Sequence, residues 1–177
     1  MDVSMMLRVL IFFYFILFTS SAFSKEIPII VISAGKNSQS YSTVGSQVTI
    51  IDSETIENSS GSSLVELLDS EVQGLNVFQL GGRGTNTGIQ MRGLPKRYST
   101  VYIDGVKMSD PASPDNSFYF QHIMKDSIER VEVLKGNQST LYGSNAIGGT
   151  IHIFTKKGKE GHRSTTKVSA GSNKTTN

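Results

Sequence analysis

Hydrophobic and polar positions alternate most cleanly in two short stretches of the second half of the chain. Val131 and Val133 flank Glu132, and Ile151 and Ile153 flank His152, the period of two expected of half-buried strands. Between them Gly136, Gly143, Gly148 and Gly149 mark sharp turns or close backbone approaches. Gln47 to Ile51, Leu75 to Leu80, Ile89 to Arg92 and Thr100 to Ile103 read as further strands, the last leading into a tight Asp104-Gly105 hairpin turn. Helical spacing is rarer. Asp52 or Ser53 can cap a short helix through Glu57, because either side-chain oxygen accepts an orphan N–H. Ser63 and Glu66 fit a capping box, with Leu64, Leu67 and Leu68 on one face and Gly74 beyond the end. Phe118 to Met124 reads as a short helix packing aromatics inward. Gly81 to Gly88 and Ser109 to Ser117 read as polar loops, the second punctuated by Pro111 and Pro114. The expectation is an α+β domain: a small mixed sheet with short helices and long loops.

The two ends carry other patterns. Arg8 precedes the apolar run Val9 to Phe18, and Ala22-Phe23-Ser24 supplies small residues before Lys25, so residues 1–24 read as a secretory signal. Half the length of a bilayer span, that run is too short for a transmembrane helix, which needs about 20 residues. Lys25 to Gly45 begins with apolar Ile27 to Ile32 and continues into GKNSQSYSTVGS, a flexible linker with little to bury. After Lys157 the chain turns polar, and Thr165 to Ala170 reads as the start of one more strand. The expected divisions are thus 1–24, 25–45, 46–157 and 158–177.

Composition narrows the function classes. With no cysteine there is no disulfide framework, no thiolate chemistry and no lipoprotein anchor. The net charge of +2 is too small to argue for nucleic acid. Hydrophobic residues make up 37% of the chain, so the core should be thin for its length. Gly82-x-Gly84-x-x-x-Gly88 resembles a dinucleotide fingerprint, yet the residues after it are β-patterned and offer no helix N-terminus for a pyrophosphate. His122, His152 and His162 lack zinc-ligand spacing, and no serine lies in a G-x-S-x-G elbow. His152 is expected on the solvated or partner-facing side of its strand. No enzyme, metal or cofactor is expected.

Two blocks carry a resemblance. IERVEVLKGNQSTLYGSNAIGGTIHIFTKK (Ile128 to Lys157) closely resembles the end of the plug domain of TonB-dependent outer-membrane receptors, where runs like IERVEVLRGPxSxLYGxxAIGGxINIxTK recur. MRGLPKRYSTVYIDGVKMSD (Met91 to Asp110) resembles the plug's central segment. Their patterns look closest to the cobalamin transporter branch. The resemblance implies a receptor plug with no barrel in this stretch of chain, since the family surrounds its plug with a 22-stranded barrel. It implies export, and placement in the outer membrane as part of a full receptor, or in the periplasm as a free-standing TonB-binding module without transport.

The resemblance also implies sites. Pro28, Ile29, Ile30, Val31, Ile32, Ser33 and Ala34 resemble the TonB box, an extended strand that adds to the sheet edge of the TonB C-terminal domain. The alternative is that Ile29 to Ile32 is simply the first strand of the sheet. Arg92 and Lys135 fall where the family carries two arginines that pair with carboxylates on the inner barrel wall. Lys135 departs from that pattern, because an ammonium lacks the planar fork of a guanidinium. Asn137 stands where proline is common. The loops Gly81 to Gly88 and Met108 to Ser117 occupy the places where plug apices meet a large nutrient such as cobalamin or an iron-siderophore. Arg83, Asn86, Asp110 and Asn116 are the polar groups singled out there.

Overall fold

A computed structural model describes residues 30–31, 37, 39–40, 45–82, 84–158, 170–171 and 175–176. The signal segment 1–24 and Arg83 lie outside the described residues. So does the expected strand at Thr165 to Ala170, except for Ala170 itself.

Five strands form the main sheet: β3 (Gln47–Ile51), β6 (Ser99–Ile103), β7 (Val106–Met108), β8 (Ile128–Lys135) and β9 (Gly149–Thr155), in the order β3-β8-β9-β6-β7. Only β6 and β9 pair in parallel, so the sheet is mixed as expected. A separate antiparallel hairpin joins β4 (Leu75–Gln79) to β5 (Thr87–Met91). Short pairs link β1 (Ile30–Val31) with β2 (Gln39–Ser40), and β10 (Ala170–Gly171) with β11 (Thr175–Thr176).

One face of the sheet carries the main core. Ile51, Val131, Val133, Ile151, Ile153 and Val101 pack with Ile56 of helix α1 (Ser53–Asn58) and with Leu64, Leu67 and Leu68 of helix α2 (Leu64–Glu71). Leu75, Ile89 and Met91 of the hairpin complete the cluster. A bulge between Ile128 and Arg130 turns Ile128 into the same cluster as Val131 and Val133, which strict alternation would forbid.

Local capping follows the expected chemistry. Asp52 Oδ1 accepts from Thr55 N–H at 2.9 Å, and Ser63 Oγ accepts from Glu66 N–H at 3.3 Å. The carboxylate of Glu66 reaches one residue beyond the cap, to Ser62 N–H at 2.9 Å. The Asp104-Gly105 turn has positive φ at both residues (48° and 85°), the type I′ geometry of a two-residue hairpin. Thr155 N–H donates to Asp104 Oδ1 at 2.9 Å, and this and the Thr155 hydroxyl hold the carboxyl below its usual range.

Three expectations fail. Phe118 to Met124 is not helical: Phe120 N–H donates to Thr87 carbonyl and Met124 bridges Ser63, so tertiary pairing takes the main-chain groups a helix would need. Arg92 is not in a strand but in a turn with φ 53°, its N–H bonded to Gly74 carbonyl. The first loop is shorter than Gly81 to Gly88, because Thr87 and Gly88 belong to β5, where Gly88 lies against the Phe78 ring.

The second face of the sheet is covered by residues 136–148, which contain the one-turn helix α3 (Ser139–Tyr142). Gly136 N–H donates to Gly148 carbonyl, and Gly148 N–H to Tyr98 carbonyl. At Gly149, with φ 147°, a Cβ would lie 2.2 Å from Leu134 carbonyl oxygen and 2.3 Å from Met91 Sδ, so backbone and hairpin meet where no side chain fits.

Candidate functional site

The start of β3 sits in a polar corner. Arg92 donates to Gln47 Oε1 at 2.9 Å, and Gln138 Nε2 donates to Ser46 Oγ at 3.0 Å. Both bonds clasp the strand just where the N-terminal segment enters it. Lys135 lies at the same end of the sheet, opposite Gln47 in the ladder, and is buried, with Nζ donating to Gln73 carbonyl at 3.2 Å. Arg92, by contrast, is exposed. Asn137 forms an Asx turn, Oδ1 accepting from Ser139 N–H at 3.0 Å, which supplies locally the bend that proline would otherwise fix.

The two polar loops are linked through Phe120 and Gln121, which follow the second loop. Phe120 N–H binds Thr87 carbonyl at 3.0 Å, and Gln121 donates to Asn86 Oδ1 at 3.4 Å while its Oε1 accepts from Thr87 N–H at 3.4 Å. Asn86 is exposed at the hairpin tip. Asp110 Oδ1 accepts from Ala112 N–H at 2.9 Å, and Asn116 is exposed with φ 52°. A groove lined by Ser63, Gln79, Thr87, Gln121, His122 and Met124 runs beside the hairpin. Loops of this kind, held by a rigid sheet, are where binding groups are presented.

His152 contradicts its expected placement. It is only 6% exposed, stacked on Tyr102 at 4.8 Å with 5° between the ring planes and edge-on to Tyr142 at 4.9 Å. β9 is a central strand, so the residues alternating with its apolar core face the cover of residues 136–148 and not water. Burial holds the imidazole down at about 4, and pushes the Tyr142 hydroxyl up to about 12. Its ring Nε2 lies 3.0 Å from Thr150 Oγ1. Glu132, opposite it on β8, is fully buried and pairs with Arg130 at 3.0 Å.

Of the heptapeptide Pro28 to Ala34, only Ile30 and Val31 are described, as β1 paired with Gln39 and Ser40 and not with the main sheet. Sequence reasoning missed Lys96, Asp115 and Tyr119, which meet beside the second loop. Nothing local announces that cluster, since its members lie 19 and 23 residues apart. Among the described residues, no three His, Cys, Asp or Glu side chains gather as metal ligands, and no helix is long and apolar enough to cross a membrane, which says nothing of β-barrels.

A family profile described as TonB-dependent Receptor Plug Domain matches residues 40–150. The chain is 34% identical over 143 residues to the vitamin B12 transporter BtuB of Vibrio vulnificus, covering 81% of this chain and 23% of that protein. It is 36% identical over 133 residues to the rhizobactin receptor of Rhizobium meliloti, covering 74% of this chain and 17% of that one. Among solved structures, the ferric-catecholate import receptor Fiu of E. coli K12 aligns over 73% of this chain and 17% of its own, with 26% identity and a TM-score of 0.53. The chain therefore spans less than a quarter of the length of each of these proteins.

Proposed function

The chain belongs to the TonB-dependent receptor plug family, and on that premise we propose that it is the gating plug of an outer-membrane receptor for cobalamin, a ferric siderophore or a similarly large nutrient. The observation that carries this is the extent of the family match: residues 40–150 take in four strands of the main sheet, the hairpin, both polar loops, the cover of residues 136–148 and the first two residues of β9. Similarity to a vitamin B12 transporter and to a rhizobactin receptor supports the nutrient class without choosing between its members.

In this reading Asn86, Asp110 and Asn116, with Arg83, face the ligand from the two loops. Arg92 faces the barrel wall, and Lys135 acts from a buried position in the same corner. The stretch Pro28 to Ala34 docks on TonB as an added strand. A pull on that stretch meets its pairing with Gln39 and Ser40 first, and the clasps at Ser46 and Gln47 hold the start of β3 further along the chain. A plug of this kind requires a surrounding barrel, since polar loops have no place in hydrocarbon.

The test replaces the plug of the V. vulnificus transporter with this chain and follows cobalamin uptake in cells with and without TonB. Uptake that requires TonB and is abolished by deleting Pro28 to Ala34 is the expected result. A chimera present at normal level in the outer membrane that transports nothing would remove the cobalamin reading. Failure of a labelled Glu26 to Lys36 peptide to bind the TonB C-terminal domain at high concentration would remove the box assignment.

A further inference from the structure

Residues 109–117 hold several hydrogen bonds among themselves, and Lys96, from outside the loop, ties them to the sheet. Ser113 N–H donates to Asp110 carbonyl and Asn116 N–H to Ser113 carbonyl, both at 3.0 Å, so the loop consists of two successive turns. Asp115 Oδ1 collects three donors: Ser113 Oγ at 2.7 Å, Ser117 N–H at 3.2 Å and Lys96 Nζ at 3.1 Å. Lys96 also donates to the Tyr119 hydroxyl at 2.8 Å and lies 4.4 Å from the centre of the Tyr119 ring. Lys96 opens the 3₁₀ turn Lys96–Tyr98, which runs straight into β6.

We propose that Lys96 is a positioning residue that anchors the loop 109–117 to β6 and so presents Asp110 and Asn116, and not Asp115, to a ligand. This rests on the reading of that loop as substrate-facing. An isolated surface ion pair would contribute too little to hold a loop. Here the carboxylate oxygen is shared among three donors, Ser113 and Ser117 are buried, and the ammonium adds an aromatic face, so the contacts act as a network. With its acceptor oxygen engaged inward, Asp115 cannot also serve a ligand through it. Asp110 is half-buried and its Oδ1 accepts from Ala112 N–H, while Asn116 is exposed. A loop already held in its binding shape avoids the affinity loss that a fluctuating one suffers.

Titration of the network has a defined direction. Its hydrogen bonds, that from Ser113 foremost, hold the Asp115 carboxyl far below its ordinary value of 3.8. Burial opposes the charge on Lys96, but the bonds to Tyr119 and Asp115 outweigh it and raise the ammonium above 10.5. The Asp115–Lys96 pair is therefore complete between those two ordinary values. It weakens as pH falls below the first toward the folded value of Asp115, and as pH rises above the second through the folded value of Lys96. The Tyr119 hydroxyl, lowered from 10.0 first by Lys96 and then by Ser113, strengthens its hold on the ammonium where it ionises.

The experiment measures amide-exchange protection in the full 177-residue chain, with Asn116 and Ser117 as reporters and the β8 and β9 amides as the internal standard. Lys96→Met keeps the aliphatic stem and removes the charge. It should cut protection at both reporters by about tenfold or more while β8 and β9 stay unchanged, and Lys96→Arg should restore part of it. Unchanged protection in Lys96→Met overturns the proposal. So does a loss that extends equally to β8 and β9, which would make Lys96 a general stability residue. Because no ligand is needed, the result is independent of cobalamin uptake by the chimera, whose failure would remove the cobalamin reading alone.

Discussion

His152 shows how far a single residue can depart from its local pattern. Polar and flanked by isoleucines, it has the sequence signature of a solvent-facing position, yet Tyr102, Tyr142 and Thr150 enclose it. Its folded value of about 4 lies below the ordinary 6.5, so between those values the unfolded chain binds more protons than the folded one. Stability contributed by the neutral ring is therefore complete above pH 6.5 and is lost as pH falls toward 4, by on the order of 3 kcal/mol. The lowered carboxyls Asp52, Asp104 and Asp115 act below their ordinary 3.8, outside this window. Urea midpoints at about pH 4.5 and 7.5 should differ clearly in the natural chain and converge in His152→Phe. An undiminished difference in the variant would place the titrating group elsewhere.

Elements behave according to how much of their bonding is local. Helix α2 is fixed by its own residues, the Ser63 cap and a face of Leu64, Leu67 and Leu68 that is entirely buried. Ser63→Ala should lower stability by about 1 kcal/mol, and Ser63→Asp should restore most of that, since either oxygen can accept from Glu66 N–H. Equal midpoints for all three chains in chemical denaturation would show that the cap carries no weight. The segment Phe118 to Met124 is the opposite case. It has aromatic residues at helical reach, but Phe120 is drawn to the hairpin and Met124 to Ser63. Main-chain partners 33 and 61 positions away decide its shape, and no window of its own sequence contains them.

The molecule as a whole places its apolar packing unevenly. The large cluster covers one face of the sheet, whereas the other face buries Glu132, His152, Thr150 and Thr100 with only a small cluster around Val48 and Leu134. Buried polar groups contribute less than the apolar side chains they displace, even when they are bonded. The chain without a barrel around it should therefore melt below about 45 °C, under the range of ordinary domains of its size. A sharp cooperative calorimetric transition above about 65 °C would show that the polar face is as stabilising as the apolar one.

The sequence by itself determined the features that depend on neighbours within a few residues. These are the strands at Gln47–Ile51 and Thr100–Ile103 to within a residue, the alternating cores of the strands around Val131 and Ile151, the caps at Asp52 and Ser63, and the tight turn at Asp104-Gly105. Two motif blocks also pointed to the family, because their glycines and strand pairs are contiguous in the chain. Tertiary structure alone decided the rest: the burial of His152, Glu132 and Lys135, the loss of a helix at Phe118, and the meeting of Lys96 with Asp115 and Tyr119. Alternation tells which residues share a face of a strand. Only the neighbours on both sides of that strand decide whether the face meets water.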